Sequence, residues 1–409
     1  MPITLLLYEW AETFLRWLHV IAGVAWIGSS FYFIHLDLSL RQRAGLPSQA
    51  CGEAWQVHGG GFYNMVKYLV APAHMPEELT WFKWEAYTTL FSGLALLGFV
   101  YYLGAELYLI DRRVLDVSQP AAVGLSIAGL VAGWVIYDLL CRSPIGNDDT
   151  TLAAVGLVFL VVLAWAFTQV FSARGAFMQM GALIGNMMVL NVLMVIIPGQ
   201  KKVVADLIAG RTPAAIHGIR GKQRSLHNNY LTLPVIFVMI GTHYPLAFAS
   251  RFNWVILALI LVIGAVIRHF YNERHAHRPS PWWTWGLAVA LALVIVWLSS
   301  LGPANARRVG SAGDAQSKMA QAKPGSLAEK QAEDVLITRC SMCHAGQPVY
   351  LGLITPPKGV AFDSLDDMRR HARQIGLQAV WTNAMPPGNV TGITAEERRD
   401  LGAWISSLR

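Results

Sequence analysis

The sequence predicts an all-α protein: a polytopic membrane bundle of about eight transmembrane helices, followed by a small helical C-terminal domain. Three observations predict it. Hydrophobic residues make up 54% of the 409 and charged residues only 14%, with a mean hydropathy of +0.41, a balance unlike that of soluble domains. Apolar runs of about 20 residues, the length that crosses a bilayer, recur eight times before residue 302. The composition then breaks to a Gly-, Ala-, Pro-, Lys- and Gln-rich stretch, after which amphipathic patterning resumes around Cys340-Ser341-Met342-Cys343-His344. This divides the chain into a membrane domain (1–302), a flexible linker (303–326) and a third unit (327–409).

The apolar runs lie near residues 14–36, 87–109, 122–140, 152–171, 178–198, 230–249, 254–270 and 283–301. The chain opens without a basic n-region or a small-residue cleavage site, so the first run is expected to stay as a span. Trp81, Trp84, Trp282 and Trp283 sit where interfacial belts form. The connection 37–82 is long for a compact bundle and is marked as a functional element. Its Gly59-Gly60-Gly61 run lacks a Walker pattern, so no phosphate cradle is read there. The net charge of +7 reads as loop charge that orients a membrane protein, and no nucleic-acid module is present.

In the third unit, two thiols spaced C-x-x-C and followed at once by His344 suit covalent haem attachment with proximal ligation. No second Cys pair exists to complete a zinc site. Residues 327–339 read as a helix leading into that turn, and Thr394-Ala395-Glu396-Glu397 is a capping box opening a last helix. Leu401, Trp404, Ile405 and Leu408 give that helix an apolar face. Between them lies Met385-Pro386-Pro387-Gly388, and a thioether held by prolines suits the sixth position of a haem iron. His371 is the rival ligand, and Met368 is read as core. The unit resembles a class I cytochrome c over its whole length, which makes one covalent haem c the expected cofactor, bound by Cys340, Cys343, His344 and Met385.

Haem of this type is attached on the outer, oxidising side of a bacterial inner membrane, so the third unit and, with eight spans, the N-terminus should be periplasmic. Basic residues agree. Thirteen (Arg41 to Arg278) fall in the loops then assigned to the cytoplasm, and Arg112, Arg113, Arg174 and Arg251 in the opposite loops. Cys51 and Cys141 fall on the reducing side and are expected as free thiols.

Ionisable groups inside spans point to function. His19 and His243 lie in the outer half and are candidates for bis-histidine ligation of a b-type haem. His35, His227 and His269 lie at inner ends, with His58, His74 and His217 in the inner loops. His19 to His35 and His227 to His243 are each sixteen residues apart, which puts each pair about 160° around its helix and argues against two stacked haems. Asn186 and Asn191 read as interhelical hydrogen-bonders, and the methionines around them as soft packing. Arg220 to Asn229 is a run of guanidinium and amide donors of the kind an anionic planar substrate needs.

Several stretches resemble the membrane-bound, cytochrome c-linked urate oxidases of bacteria. They are Arg16-Trp17-Leu18-His19-Val20-Ile21-Ala22-Gly23-Val24-Ala25-Trp26-Ile27-Gly28, Gly59-Gly60-Gly61-Phe62-Tyr63, Trp81-Phe82-Lys83-Trp84-Glu85-Ala86-Tyr87 and His227-Asn228-Asn229-Tyr230-Leu231-Thr232-Leu233-Pro234. The first span also resembles, more faintly, that of haem-containing protoporphyrinogen oxidases, which adds weight to His19 as a haem ligand. The urate oxidase resemblance implies oxidation of urate to 5-hydroxyisourate, with electrons leaving through the fused haem to a soluble cytochrome c or terminal oxidase. On that reading Arg224, Asn228 and Arg268 hold the substrate, and His227 or His269 accepts its proton. The alternative is a non-catalytic subunit carrying electrons from a dehydrogenase or quinol to a terminal oxidase.

Overall fold

A computed structural model describes residues 3–47, 49–68, 75–302, 327–350, 353 and 355–408. The expected linker 303–326 and His74 lie outside the described residues. The chain is mostly helical. In order, the N-terminal portion contains α1 (Ile3–Ser39), strands β1 (Ala50–His58) and β2 (Gly61–Tyr68), α2 (Trp84–Leu96), α3 (Ala105–Tyr108) and α4 (Gln119–Arg142). It continues with α5 (Asp149–Val170), α6 (Ala173–Leu190), α7 (Ile197–Ile208), α8 (Ala215–Gly241), α9 (Pro245–Phe248), α10 (Asn253–His275) and α11 (Trp283–Ser300).

Among the described residues, six helical stretches are long and apolar enough to cross a membrane: Leu6–Ser39, Gln119–Arg142, Asp149–Val170, Ala173–Ile208, Asn253–His275 and Trp283–Ser300. The other two expected runs are helical but divided. The run 87–109 passes from α2 through a π-helical segment (Leu97–Tyr102) and breaks at Gly104 before α3. The run 230–249 is the apolar half of α8, whose first half is polar, plus a turn and α9. At the centre stands α6, with Met180, Leu183, Ile184 and Met187 all at 2% exposure or less; Met180, Met187 and Met188 pack as core, whereas Met194 is 59% exposed. Side-chain caps set the entries of two central helices: Asp148 accepts from Thr151 N (2.7 Å) at α5, and Ser172 from Gly175 N (2.9 Å) at α6.

The all-α expectation is corrected in the long first connection, where β1 and β2 form an antiparallel hairpin closing at His58↔Gly61. Gly59 and Gly60 both adopt positive φ (59° and 79°), as a two-residue type I′ turn requires. The hairpin is tied to the end of α1 by the Arg41↔Glu53 bridge, the Lys67–Asp37 ion pair (2.6 Å) and a Tyr32–Gln56 hydrogen bond (2.8 Å).

The C-terminal unit comprises α12 (Leu327–Arg339), α13 (Ser341–His344), α14 (Leu365–Arg370), α15 (Ala372–Ile375), a π-helical segment (Gly376–Trp381) and α16 (Ala395–Ser407). Leu336, Met368, Leu401 and Trp404 fill its core. The expected capping box is present, with Thr394 and Glu397 bonded reciprocally. The Met385–Gly388 loop lies against the α3 end of the bundle: a Cβ on Gly388 would sit 2.6 Å from Ile110 O and 3.0 Å from Glu106 O.

Candidate functional site

Two polar clusters are buried between the helices, on different faces of α8. Asn228 and Asn229 are neighbours about 100° apart around the helix, and each belongs to one cluster.

The first joins α4, α8 and the π-helical turn (Asn191–Ile196) that links α6 to α7. Arg224, 2% exposed, donates to Asp138 Oδ1 (2.6 Å) and Asn191 Oδ1 (3.0 Å), with its guanidinium 4.8 Å from the centre of the Tyr137 ring. Asn191 Nδ2 donates to Tyr137 Oη and Asn228 Oδ1, both at 2.9 Å. Tyr137 Oη therefore has its own proton free to meet His227 Nδ1 at 2.7 Å. Asn228 Nδ2 closes the circuit on Met188 O (2.9 Å). Every member has a partner, as a stiff interhelical joint requires. Beneath it is a cavity of about 150 Å³ whose lining includes Arg142, Lys202, His217, Arg220 and Arg224. A basic cavity of this kind draws anions.

The second cluster joins α1, α8 and α10. Arg268 Nη2 donates to Asn272 Oδ1 (3.2 Å), and Asn272 Nδ2 to Asn229 Oδ1 (3.0 Å). The Arg268 guanidinium covers the Phe31 ring at 4.2 Å, and the His35 and His275 rings meet edge to face at 4.4 Å. His269 faces away, toward Tyr230 Oη (3.5 Å) and Trp283. The structure thus brings Arg224, His227 and Asn228 together and sets Arg268 and His269 apart from them. Asn229 belongs to the donor run read in the sequence, whereas no site role for His35, His275 or Asn272 follows from the sequence. His35 lies four residues after Phe31, and Asn272 and His275 lie four and seven after Arg268, so each follows its partner along one helix face.

In the C-terminal unit, His344 Nδ1 lies 2.8 Å from Val360 O. A carbonyl partner fixes the proton on Nδ1 and leaves the Nε2 lone pair free, the tautomer a ligating histidine uses. Burial lowers the His344 pKa, so the neutral imidazole prevails, and burial pushes the Cys340 thiol up to about 12. Cys340 and Cys343 are free, on one turn. The Met385 loop is held by buried Arg398, which donates to Met385 O (2.9 Å), to Asn389 Oδ1 (3.3 Å) and to Ala379 O. This donor set fits a haem c. His371 Nδ1 is turned to Asp367 O (2.9 Å).

The sequence profile of the Urate oxidase N-terminal family matches residues 5–299. The chain belongs to the Urate oxidase N-terminal family. That membership relates it to urate oxidation and places it among oxidoreductases at a coarse level. No curated protein and no solved structure matches the chain.

Within the Urate oxidase N-terminal domain, the expected haem-ligand pair His19 and His243 stands as follows. His19 Nδ1 lies 3.1 Å from both Thr89 O and Ser92 Oγ, and a Cβ on Gly93 would come within 2.9 Å of its ring. His243 is exposed in the turn after α8, lining a cavity of about 140 Å³ shared with Arg113, Arg174, Lys358 and Met385. Among the described residues no hydrogen bond or ring contact joins the two histidines, and no step below is routed through a membrane haem.

Proposed function

We propose that the protein oxidises urate within the membrane domain (1–302) and passes the electrons to a covalent haem c in the C-terminal unit (327–409). Family membership over residues 5–299 carries this reading. Urate plus water gives 5-hydroxyisourate, two protons and two electrons. Cys340, Cys343, His344 and Met385 would hold the haem, which would supply one-electron acceptance. A soluble cytochrome c or terminal oxidase then collects the electrons.

The same reading takes the bundle as crossing a bacterial inner membrane eight times, the six apolar helices being joined by the α2–α3 segment and the apolar half of α8. The C-terminal unit and the N-terminus are periplasmic and 303–326 is the tether. Substrate is bound toward the cytoplasmic ends, where Arg224, Asn228 and Arg268 lie and where the basic cavity attracts the anion. His227 and His269 are the proton acceptors first considered there. Docking of the Met385 loop on the α3 end supports a direct path out of the bundle.

The test is an anaerobic spectrum of purified protein before and after urate. Appearance of the ferrous haem c bands supports the reading. A haem that ascorbate reduces and urate does not would overturn it, in favour of a subunit that only carries electrons. A pyridine haemochrome spectrum counts the haems, and a c-type signal alone removes the membrane haem expected of His19 and His243.

A further inference from the structure

The two buried clusters differ in one respect that bears on where a substrate sits. In the first, Arg224 has a carboxylate partner and every amide and hydroxyl is paired. In the second, Arg268 is 5% exposed and forms no ion pair among the described residues, and Asn229 is 0% exposed. Arg268 Nε, Asn229 Nδ2, His35 Nδ1 and His275 Nδ1 are all buried without a hydrogen-bond partner. A buried guanidinium lacking a counter-charge is costly, and so is each unpaired amide donor. An anion offering acceptors at these positions removes both costs.

The packing holds these donors in place. Gly264 on α10 lies against Pro234 on α8 so closely that a Cβ would come within 2.4 Å of the proline ring. That contact lets α8 and α10 approach, and Asn229 and Asn272 join across the gap. Phe31 then supplies a flat face under Arg268, and α1 brings His35 to His275.

We propose that the α1–α8–α10 cluster is the binding site for the substrate as a planar heteroaromatic monoanion. Arg268 Nε and Asn229 Nδ2 donate to its oxygen and nitrogen acceptors, and His35 and His275 take up the protons released on oxidation. This rests on the urate reading above and moves the site from Arg224, Asn228 and His227 to Arg268, Asn229, His35 and His275.

The test uses the full-length holoprotein with its haem pre-reduced by ascorbate under argon, so that urate binds without turning over. Binding of radiolabelled urate is measured by equilibrium dialysis, in nanodiscs of zwitterionic lipid and again with phosphatidylglycerol or inorganic phosphate added. Arg268→Met is expected to weaken urate at least 30-fold, the loss typical of removing one partner of a buried charge-assisted contact. Arg268→Lys should recover part of the affinity. His35→Gln should bind within about threefold of wild type yet slow urate-dependent haem reduction, a kcat effect that mere loosening of the fold does not give.

Wild-type affinity in a folded Arg268→Met protein overturns the proposal. So does loss of binding in Arg224→Met with Arg268→Met unaffected, which seats the anion in the other cluster and leaves the urate reading intact. If wild type binds no urate while phosphate or phosphatidylglycerol binding depends on Arg268, the site belongs to a lipid or inorganic oxyanion, and the urate reading fails with it.

Discussion

Replacing Asp138 with alanine removes a carboxylate that accepts from Arg224 at 2.6 Å and from Arg142 at 2.7 Å. The two cations respond differently. Arg142 is half exposed and can turn to water, so its share is that of a surface pair, about 0–1 kcal/mol. Arg224, 2% exposed, has no such recourse. Deleting one partner of a buried pair costs about 3–5 kcal/mol. Arg224 keeps the Asn191 oxygen and the Tyr137 ring, so the low end, about 3 kcal/mol, is the expected loss. That corresponds to roughly a hundredfold in the unfolding equilibrium. The assay is SDS unfolding in mixed micelles, followed by tryptophan fluorescence. The double variant Asp138→Ala with Arg224→Met removes both charges and should regain all but about 1 kcal/mol, because apolar replacement of a whole buried pair is close to neutral. A single variant as stable as wild type, or a double variant no better than the single, would refute the view that this cluster is a structural joint.

Gly388→Ala places a methyl 2.6 Å from the Ile110 carbonyl oxygen on a residue with φ 55°, a backbone region that costs an L-residue about 1–2 kcal/mol. It should slow urate-supported haem reduction while ascorbate reduction stays at the wild-type rate in stopped flow. Arg398→Met frees the Met385 carbonyl and Asn389; loss of the methionine-to-ferric-iron absorption band and a lower reduction potential in redox titration are expected. For Glu397, burial alone would raise the pKa, but the Thr394 N–H and Arg339 guanidinium bring it below its ordinary 4.5. Its folded value is depressed, so its contribution is complete above about pH 4.5 and lost as pH falls through the lowered value. Melting curves of Glu397→Gln should therefore converge on wild type in acid and fall below it at neutral pH.

Much of the scaffold was legible because hydropathy and capping are local. The apolar runs marked six helices, Thr394 and Glu397 announced α16, and Met368 was placed in the core. The hairpin has a sequence signal in the Gly59-Gly60 pair followed by a run rich in aromatic residues (Phe62, Tyr63, Tyr68), while the first strand holds only Trp55 and Val57 of the strand-favouring types. The π-helical turns at Leu97–Tyr102 and Asn191–Ile196 left no mark in composition. The candidate site divided for a rotational reason. Asn228 and Asn229 read as one donor run along the chain, yet one meets Asn191 and the other Asn272. His35 could be assigned to an inner helix end, but nothing local says that α10 brings His275 to it.

The touch of Gly264 on Pro234 means that the spacing of the polar donors is decided one helical turn away, by two residues with nothing polar in their side chains. Recognition and rigidity in this bundle are consequently not separate knobs. Engineering that swaps Gly264 for a better helix former, the ordinary route to a hardier protein, prises α10 from α8 and blunts the grip on a small guest that neither residue ever touches.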